Sequence, residues 1–160
     1  MMERLRLGLV TCGFLGCSPV APGTVGTLGG VAIAWALATT EQYLLWVFLT
    51  CVAVYLIGRS LAPWAERRGG KDPQIFVLDE VLGYLITVAW IKGPTLVTLL
   101  VGFALFRFFD VLKPPPVRQM ERFPGGDGIL LDDVVAGLFG LIILTVARFT
   151  IGDAALWEVH

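Results

Sequence analysis

Two short stretches carry paired carboxylates: VLDEVLG (77–83) and LLDDVVAG (130–137). Each sets two adjacent acids ahead of an apolar run, with a glycine four residues after one of them: Gly83 after Asp79, and Gly137 after Asp133. A carboxylate at a helix start satisfies free N–H groups and opposes the positive end of the dipole, so a single acid there reads as a cap. A cap uses one carboxylate, however, and a second charge at the edge of hydrocarbon is desolvated without return. A hard divalent cation relieves the repulsion. Mg²⁺ takes oxygen ligands, typically one or two carboxylates completed by water and phosphate oxygens. Asp79, Glu80, Asp132 and Asp133 are therefore the expected ligands of one or two Mg²⁺ ions. The glycines are small residues that let two helices approach closely in lipid, and two such helices side by side bring the four carboxylates together.

Two further clusters suit an anion. In FRFFDVLKPPP (106–116), Arg107, Asp110 and Lys113 are spaced three apart, which on a helix places them on adjoining faces. They read either as a salt-bridge ladder with snorkelling cations at a membrane boundary, or as an Arg/Lys clamp on phosphate with Asp110 orienting a base or sharing in metal binding. Pro114 to Pro116 end the helix and stiffen the chain that leaves it. PVAPGTVGTLGG (19–30) reads as a Gly/Thr-rich loop entering a helix. Taken alone it is a proline–glycine turn capped by Thr24 or Thr27. Beside the other clusters, Gly23, Thr24, Gly26 and Thr27 can offer N–H and hydroxyl donors to phosphate.

The elements that must position these groups are set by composition. The chain has 160 residues, 56% hydrophobic and 16% charged, against roughly 25% charged in an average globular protein. Mean hydropathy is +0.79. One domain spanning 1–160 is expected, with much of its surface facing lipid. A net charge of -1 gives no electrostatic case for nucleic acid. Cys12, Cys17 and Cys51 form neither a zinc pattern nor a disulfide framework and read as small apolar residues. The sole histidine is His160, which argues against histidine-based acid–base or nucleophilic catalysis. Arg4 and Arg6 before LGLVTCGFLGCS resemble the start of a secretory signal. The hydrophobic segments that follow favour an uncleaved cytoplasmic or interfacial segment instead.

Hydrophobic runs fall at about 24–40, 43–58, 80–91, 95–112 and 134–151. A lipid-spanning helix needs about 20 apolar residues. The run at 80–91 is short: a short or tilted span, or half of a re-entrant hairpin. Of the twelve Lys and Arg residues, only Lys92 and Arg148 lie on the side away from Arg4, Arg6, Arg59, Arg67, Arg68, Lys71, Arg107, Lys113, Arg118 and Arg122. The positive-inside rule makes the larger set cytoplasmic. The expectation is an all-α, multi-helical integral membrane bundle of about five hydrophobic helices. Its amino terminus lies inside and its carboxyl terminus outside, and all three polar clusters meet at the cytoplasmic face.

Several chemistries lack their residues. No cysteine has arginine six positions on, no DxDx[TV] occurs, and Leu131 and Asp132 stand where a CDP-alcohol transferase needs Ala-Arg after Asp127-Gly128. Adjacent carboxylates with Mg²⁺ and basic residues suit metal-assisted phosphoryl transfer to water. APGTVGTL (21–28), DPQIFVLDEVLG (72–83), LFRFFDVLKPPPV (105–117) and GGDGILLDDVVAG (125–137), in this order and spacing, resemble the phosphatidylglycerophosphatase A family. The resemblance covers about 15–137. It departs at 113–116, where the family has KPWP and this chain KPPP, and at Asp127, where the family has an uncharged residue.

The resemblance implies a Mg²⁺-dependent phosphatase of the bacterial cytoplasmic (inner) membrane that hydrolyses phosphatidylglycerophosphate to phosphatidylglycerol and phosphate. In that reading Asp79, Asp110 and Asp132 are catalytic, Asp79, Glu80, Asp132 and Asp133 hold metal, and Arg107 and Lys113 with the 23–27 segment bind phosphate. Asp110 orients water for in-line attack, with a covalent aspartyl-phosphate as the other route. A membrane carrier or channel for cations or phosphate is the alternative, although it calls for polar groups through the whole bilayer thickness. A structural membrane subunit with the acids as caps is a third.

Overall fold

The computed structural model describes residues 1–71, 73–152 and 154–158. Asp72, part of the 72–83 stretch, and His160 lie outside the described residues. The order is α1 (Met2–Val10), a 3₁₀ turn (Leu15–Cys17), α2 (Pro22–Leu37), α3 (Tyr43–Gly69), α4 (Leu78–Thr87), α5 (Leu96–Leu112), α6 (Val117–Met120), α7 (Gly126–Ile151) and α8 (Ala154–Trp157). Among the described residues there is no strand, only an isolated bridge between Pro94 and Glu158.

Local chemistry sets the helix ends that matter for function. Pro22 occupies the first position of α2, where its fixed φ fits and its missing N–H is not needed. The Thr95 hydroxyl accepts from the Thr98 N–H, 3.3 Å away, and caps α5. At the other end of α5, Lys113 turns the chain into the left-handed region and prolines follow at once. Gly152, at φ 69°, closes α7.

Helix α4 is the hub. Eight of its ten residues are buried, and α2, α3, α5 and α7 pack around it. Helices α2, α4 and α7 begin at one end of the bundle, and α3 and α5 finish there. The α4–α7 crossing is closest at two glycines. A Cβ on Gly137 would lie 2.3 Å from the Gly83 carbonyl oxygen, and one on Gly83 would lie 2.6 Å from the Asp133 carbonyl oxygen. Further along, the Thr87 hydroxyl lies 3.0 Å from Gly83 O and 3.2 Å from Gly137 O, joining the two helices where their backbones meet.

Helices occupy all five hydrophobic runs, and two other expectations are revised. Among the described residues two helices, α3 and α7, are long and apolar enough to cross a membrane. Both keep large apolar side chains on the outside, among them Phe48, Leu56, Ile142 and Phe149. By contrast α4, in place of the 80–91 run, rises only about 15 Å and is enclosed by protein. Asp132 and Asp133 do not precede their helix, because α7 begins at Gly126. Gly126 fits against Arg59 and Ala62 of α3. Asp127 accepts from the Tyr55 hydroxyl at 2.7 Å and pairs with Arg59 at 3.0 Å, so the added turns are pinned to α3 and the acids lie two turns inside. Finally, the loop expected over 19–30 ends at Ala21, and Gly23 to Thr27 form the first turns of α2.

The crossing predicts that Gly137→Ala lowers stability by about 1–3 kcal/mol, the usual cost of overpacking. A reduced melting temperature in detergent, beside an unchanged one for an alanine at exposed Leu138, is the expected result.

Candidate active site

The glycine crossing places the start of α4 beside the third turn of α7. Oxygens of Asp79, Glu80 and Asp133 come within 4.8 Å of one another. Asp79 is 6% exposed and Asp133 3%. Glu80 Oε2 is buried without a hydrogen-bond partner, and the Asp79 carboxylate accepts from the Glu80 N–H at 3.0 Å. Buried carboxylates this close repel unless a proton or a cation lies between them. A hard divalent ion fits this donor set, because it takes oxygen ligands and Glu80 supplies an uncommitted one.

Asp132 does not join that group. Its carboxylate turns to Lys113, 2.7 Å away, and Lys113 also reaches Glu121 at 2.6 Å. Burial opposes the charge on Lys113, but its hydrogen bonds to Asp132 and Glu121 outweigh that and hold the ammonium above the ordinary lysine range. Arg107 and Asp110, one turn apart on α5, form an ion pair with both side chains mostly covered.

A pocket of about 370 Å³ opens beside the three carboxylates, and Gly23, Thr24, Glu80, Arg107, Asp110 and Lys113 all line it. Gly23 is a position where the absence of a side chain decides the site. A Cβ there would lie 2.3 Å from Glu80 Oε1 and 3.3 Å from an Arg107 nitrogen. Gly23 and Thr24 are the second and third residues of α2, ahead of Val25, whose N–H makes the first bond back to Ala21 O. Their own N–H groups are thus free of the helix ladder at its positive end. Ala21 and Lys113, both on the pocket wall, hold left-handed backbone at φ 45° and 44°. Strain of that kind in non-glycine residues gathers at functional sites.

The other expected phosphate ligands lie elsewhere. Gly26 faces Val77, where a Cβ would sit 2.4 Å from the Val77 Cβ, and serves helix packing. The Thr27 hydroxyl donates to Gly23 O at 2.8 Å inside the bundle. Asp127 stands apart with Tyr55 and Arg59. Gln74 and Phe76 on the pocket wall, and Glu121 on Lys113, were not foreseen. Gln74 and Phe76 belong to the 72–83 stretch, but an amide and a phenyl ring carry no spacing rule that marks them.

A buried carboxylate triad thus meets, through Glu80, a pocket lined by a mostly covered arginine and a free helix start, which can hold a cation and an anion side by side. The family model for phosphatidylglycerophosphatase A matches residues 8–148. A Bacteroides thetaiotaomicron protein named, provisionally, a phosphatidylinositol-3-phosphatase is 39% identical over 90% of this chain and 94% of its own. Proteins named phosphatidylglycerophosphatase A are 37% identical in Escherichia coli, covering 85% of this chain and 80% of theirs, and 34% identical in Haemophilus influenzae, covering 81% and 80%. No solved structure matches the chain. The chain belongs to the phosphatidylglycerophosphatase A family and is a phosphatase.

Because Lys113 titrates higher in the folded protein than the ordinary 10.5, its pairing stabilises the fold fully below that pH and is lost only as pH rises through the raised value. Lys113→Gln should therefore lower the melting temperature by the same amount at pH 7 and pH 9, as read by thermal melts at both.

Proposed function

We propose that the protein hydrolyses the terminal phosphate of phosphatidylglycerophosphate, with Mg²⁺ as cofactor, at the cytoplasmic face of a bacterial inner membrane. The observation that carries the reading is the juxtaposition of the Asp79–Glu80–Asp133 triad with a pocket bearing Arg107 and the start of α2. Relatives named for this activity support the substrate. The lipid character is supported by apolar residues beside the pocket that face outward, Val111 at 71% and Leu112 at 61% exposed. The orientation is supported by basic residues gathered at the pocket end, where the positive-inside rule puts the cytoplasm.

In this reading Asp79, Glu80 and Asp133 would hold the ion, which when bound supplies Lewis-acid stabilisation of the phosphoryl oxygens. Arg107 neutralises a phosphate oxygen from the pocket wall, and the N–H groups of Gly23 and Thr24 donate from the positive end of α2. Asp110, bonded to Arg107 on the pocket wall, orients the attacking water and takes its proton. Lys113 sits at the edge, joining the pocket to Asp132 and Glu121. Asp132 then acts through Lys113 as a positioning residue. A carrier function finds less support, since the acids gather at one end of the bundle.

A second lipid is favoured by one observation, the 39% identical relative named for phosphatidylinositol 3-phosphate. Phosphate release from each lipid in mixed micelles, with Mg²⁺ or with EDTA, decides between them. Faster Mg²⁺-dependent release from phosphatidylglycerophosphate is expected. Equal rates with EDTA would refute the metal, and exclusive use of the inositol lipid would refute the substrate.

Asp133→Asn and Glu80→Gln should each lower kcat by about 10³-fold or more, the several kcal/mol a metal contributes to the transition state. Asp132→Asn should cost less, about 10- to 100-fold, as expected for a residue one step removed. An equal loss at Asp132 and Asp133 in the same assay would contradict the division of roles.

A further inference from the structure

A second pocket, of about 390 Å³, lies on the other side of the Lys113–Glu121 pair. Lys71, Arg118 and Arg122 line it, and its only acid among the described residues is Glu121. The Glu121 carboxylate is engaged by Lys113, and its backbone carbonyl accepts from the Lys71 ammonium at 3.4 Å. The pocket therefore presents three cations, while the acid beside them is already in use. Arg118 lies on the short α6 and Arg122 just beyond it, where the exit prolines deliver the chain back over the site. The phosphatase chemistry uses none of these cations, because Arg107, the start of α2 and the triad already meet one phosphate.

We propose that this basic pocket, across the Lys113–Glu121 pair from the active site, binds the phosphodiester of the lipid substrate. The inference rests on the lipid-phosphatase reading above and adds a determinant of substrate choice. Phosphatidylglycerophosphate carries two phosphates a few bonds apart, a terminal monoester and the diester that joins the headgroup to the glycerolipid. So does phosphatidylinositol 3-phosphate, the lipid in the name of the Bacteroides relative. The two differ in the alcohol between the phosphates and share the pair of charges. Two anion pockets divided by one ion pair match that shared feature. Arginine suits the task because its planar donors engage phosphate oxygens in pairs. The same diester chemistry occurs in bulk anionic phospholipid, so the experiment must separate the two sources.

The test uses the full-length protein in neutral-detergent micelles and the double variant Arg118→Gln/Arg122→Gln, both sites being exposed. Substrates are phosphatidylglycerophosphate and phosphatidic acid, which has the same tails and a monoester but no diester. Soluble glycerophosphoglycerol, a diester without tails, serves as competitor. Wild-type turnover of phosphatidylglycerophosphate checks the underlying function, and its absence would overturn that reading and this one with it. Given that turnover, the double variant should raise KM for phosphatidylglycerophosphate about tenfold, a loss on the scale of one charge-assisted hydrogen bond. kcat, and any turnover of phosphatidic acid, should stay unchanged. Glycerophosphoglycerol should inhibit the wild type competitively and the variant several-fold more weakly. An unchanged KM would overturn the proposal. So would an equal loss on both lipids, or a loss reversed by adding phosphatidylglycerol, because either would assign the pocket to the bulk membrane surface.

Discussion

The arrangement depends on one constraint: three carboxylates share a small buried space because two helices cross without side chains between them. Gly83 and Gly137 let the α4 and α7 backbones touch, and the acids lie about one turn away on each helix. Burial strengthens the repulsion among them, and Arg107, beside Glu80 but paired with Asp110, offsets it only in part. The two nearest basic groups are spoken for: Arg107 pairs with Asp110, and Lys113 with Asp132 and Glu121. A cluster left short of positive charge in this way is a place where an added cation is stabilised strongly, and beside it lies a pocket lined by Arg107 and the start of α2.

The apolar outer surface follows from the same economy. Helix α4 carries two of the acids and has ten residues, most of them buried, and longer helices enclose it. Helices α3 and α7 turn apolar side chains outward, and α7 keeps Asp132, Asp133, Gly137 and Gly140 within. Polar groups therefore lie where protein covers them, at the end where α2, α4 and α7 begin. Three helix starts there add positive partial charge, which favours both the carboxylates and a bound phosphate.

Much of the site was legible in the sequence because residue type and spacing carried the chemistry. The four acids, the glycine four residues after one acid of each pair, and the Arg107–Asp110–Lys113 spacing all pointed to one place, and the structure draws most of them together. What the sequence could not divide was Asp132 from Asp133. Neighbours on a helix point about 100° apart, so only one of them can face α4, and which one depends on how α7 is rotated. That rotation is fixed by contacts distant in sequence, Gly126 on Arg59 and Asp127 on Tyr55. The same Asp127 contacts extend α7 upstream of its apolar run, which hydropathy alone marks from 134. In the first turn of α4, by contrast, the chain is still entering the helix, and Asp79 and Glu80 both reach the cluster. Thr27 was misread for a related reason. A hydroxyl can donate either to a ligand or to the carbonyl four residues back, and burial inside α2 decides for the carbonyl.

Binding of Mn²⁺, as a paramagnetic stand-in for Mg²⁺, tests the central claim without relying on turnover. Electron paramagnetic resonance of the purified protein in detergent should show saturable Mn²⁺ binding that Mg²⁺ competes away. Asp133→Asn and Glu80→Gln should abolish it, and Asp132→Asn should retain it. Binding that survives both triad substitutions, or no saturable binding in the folded wild type, would contradict the account.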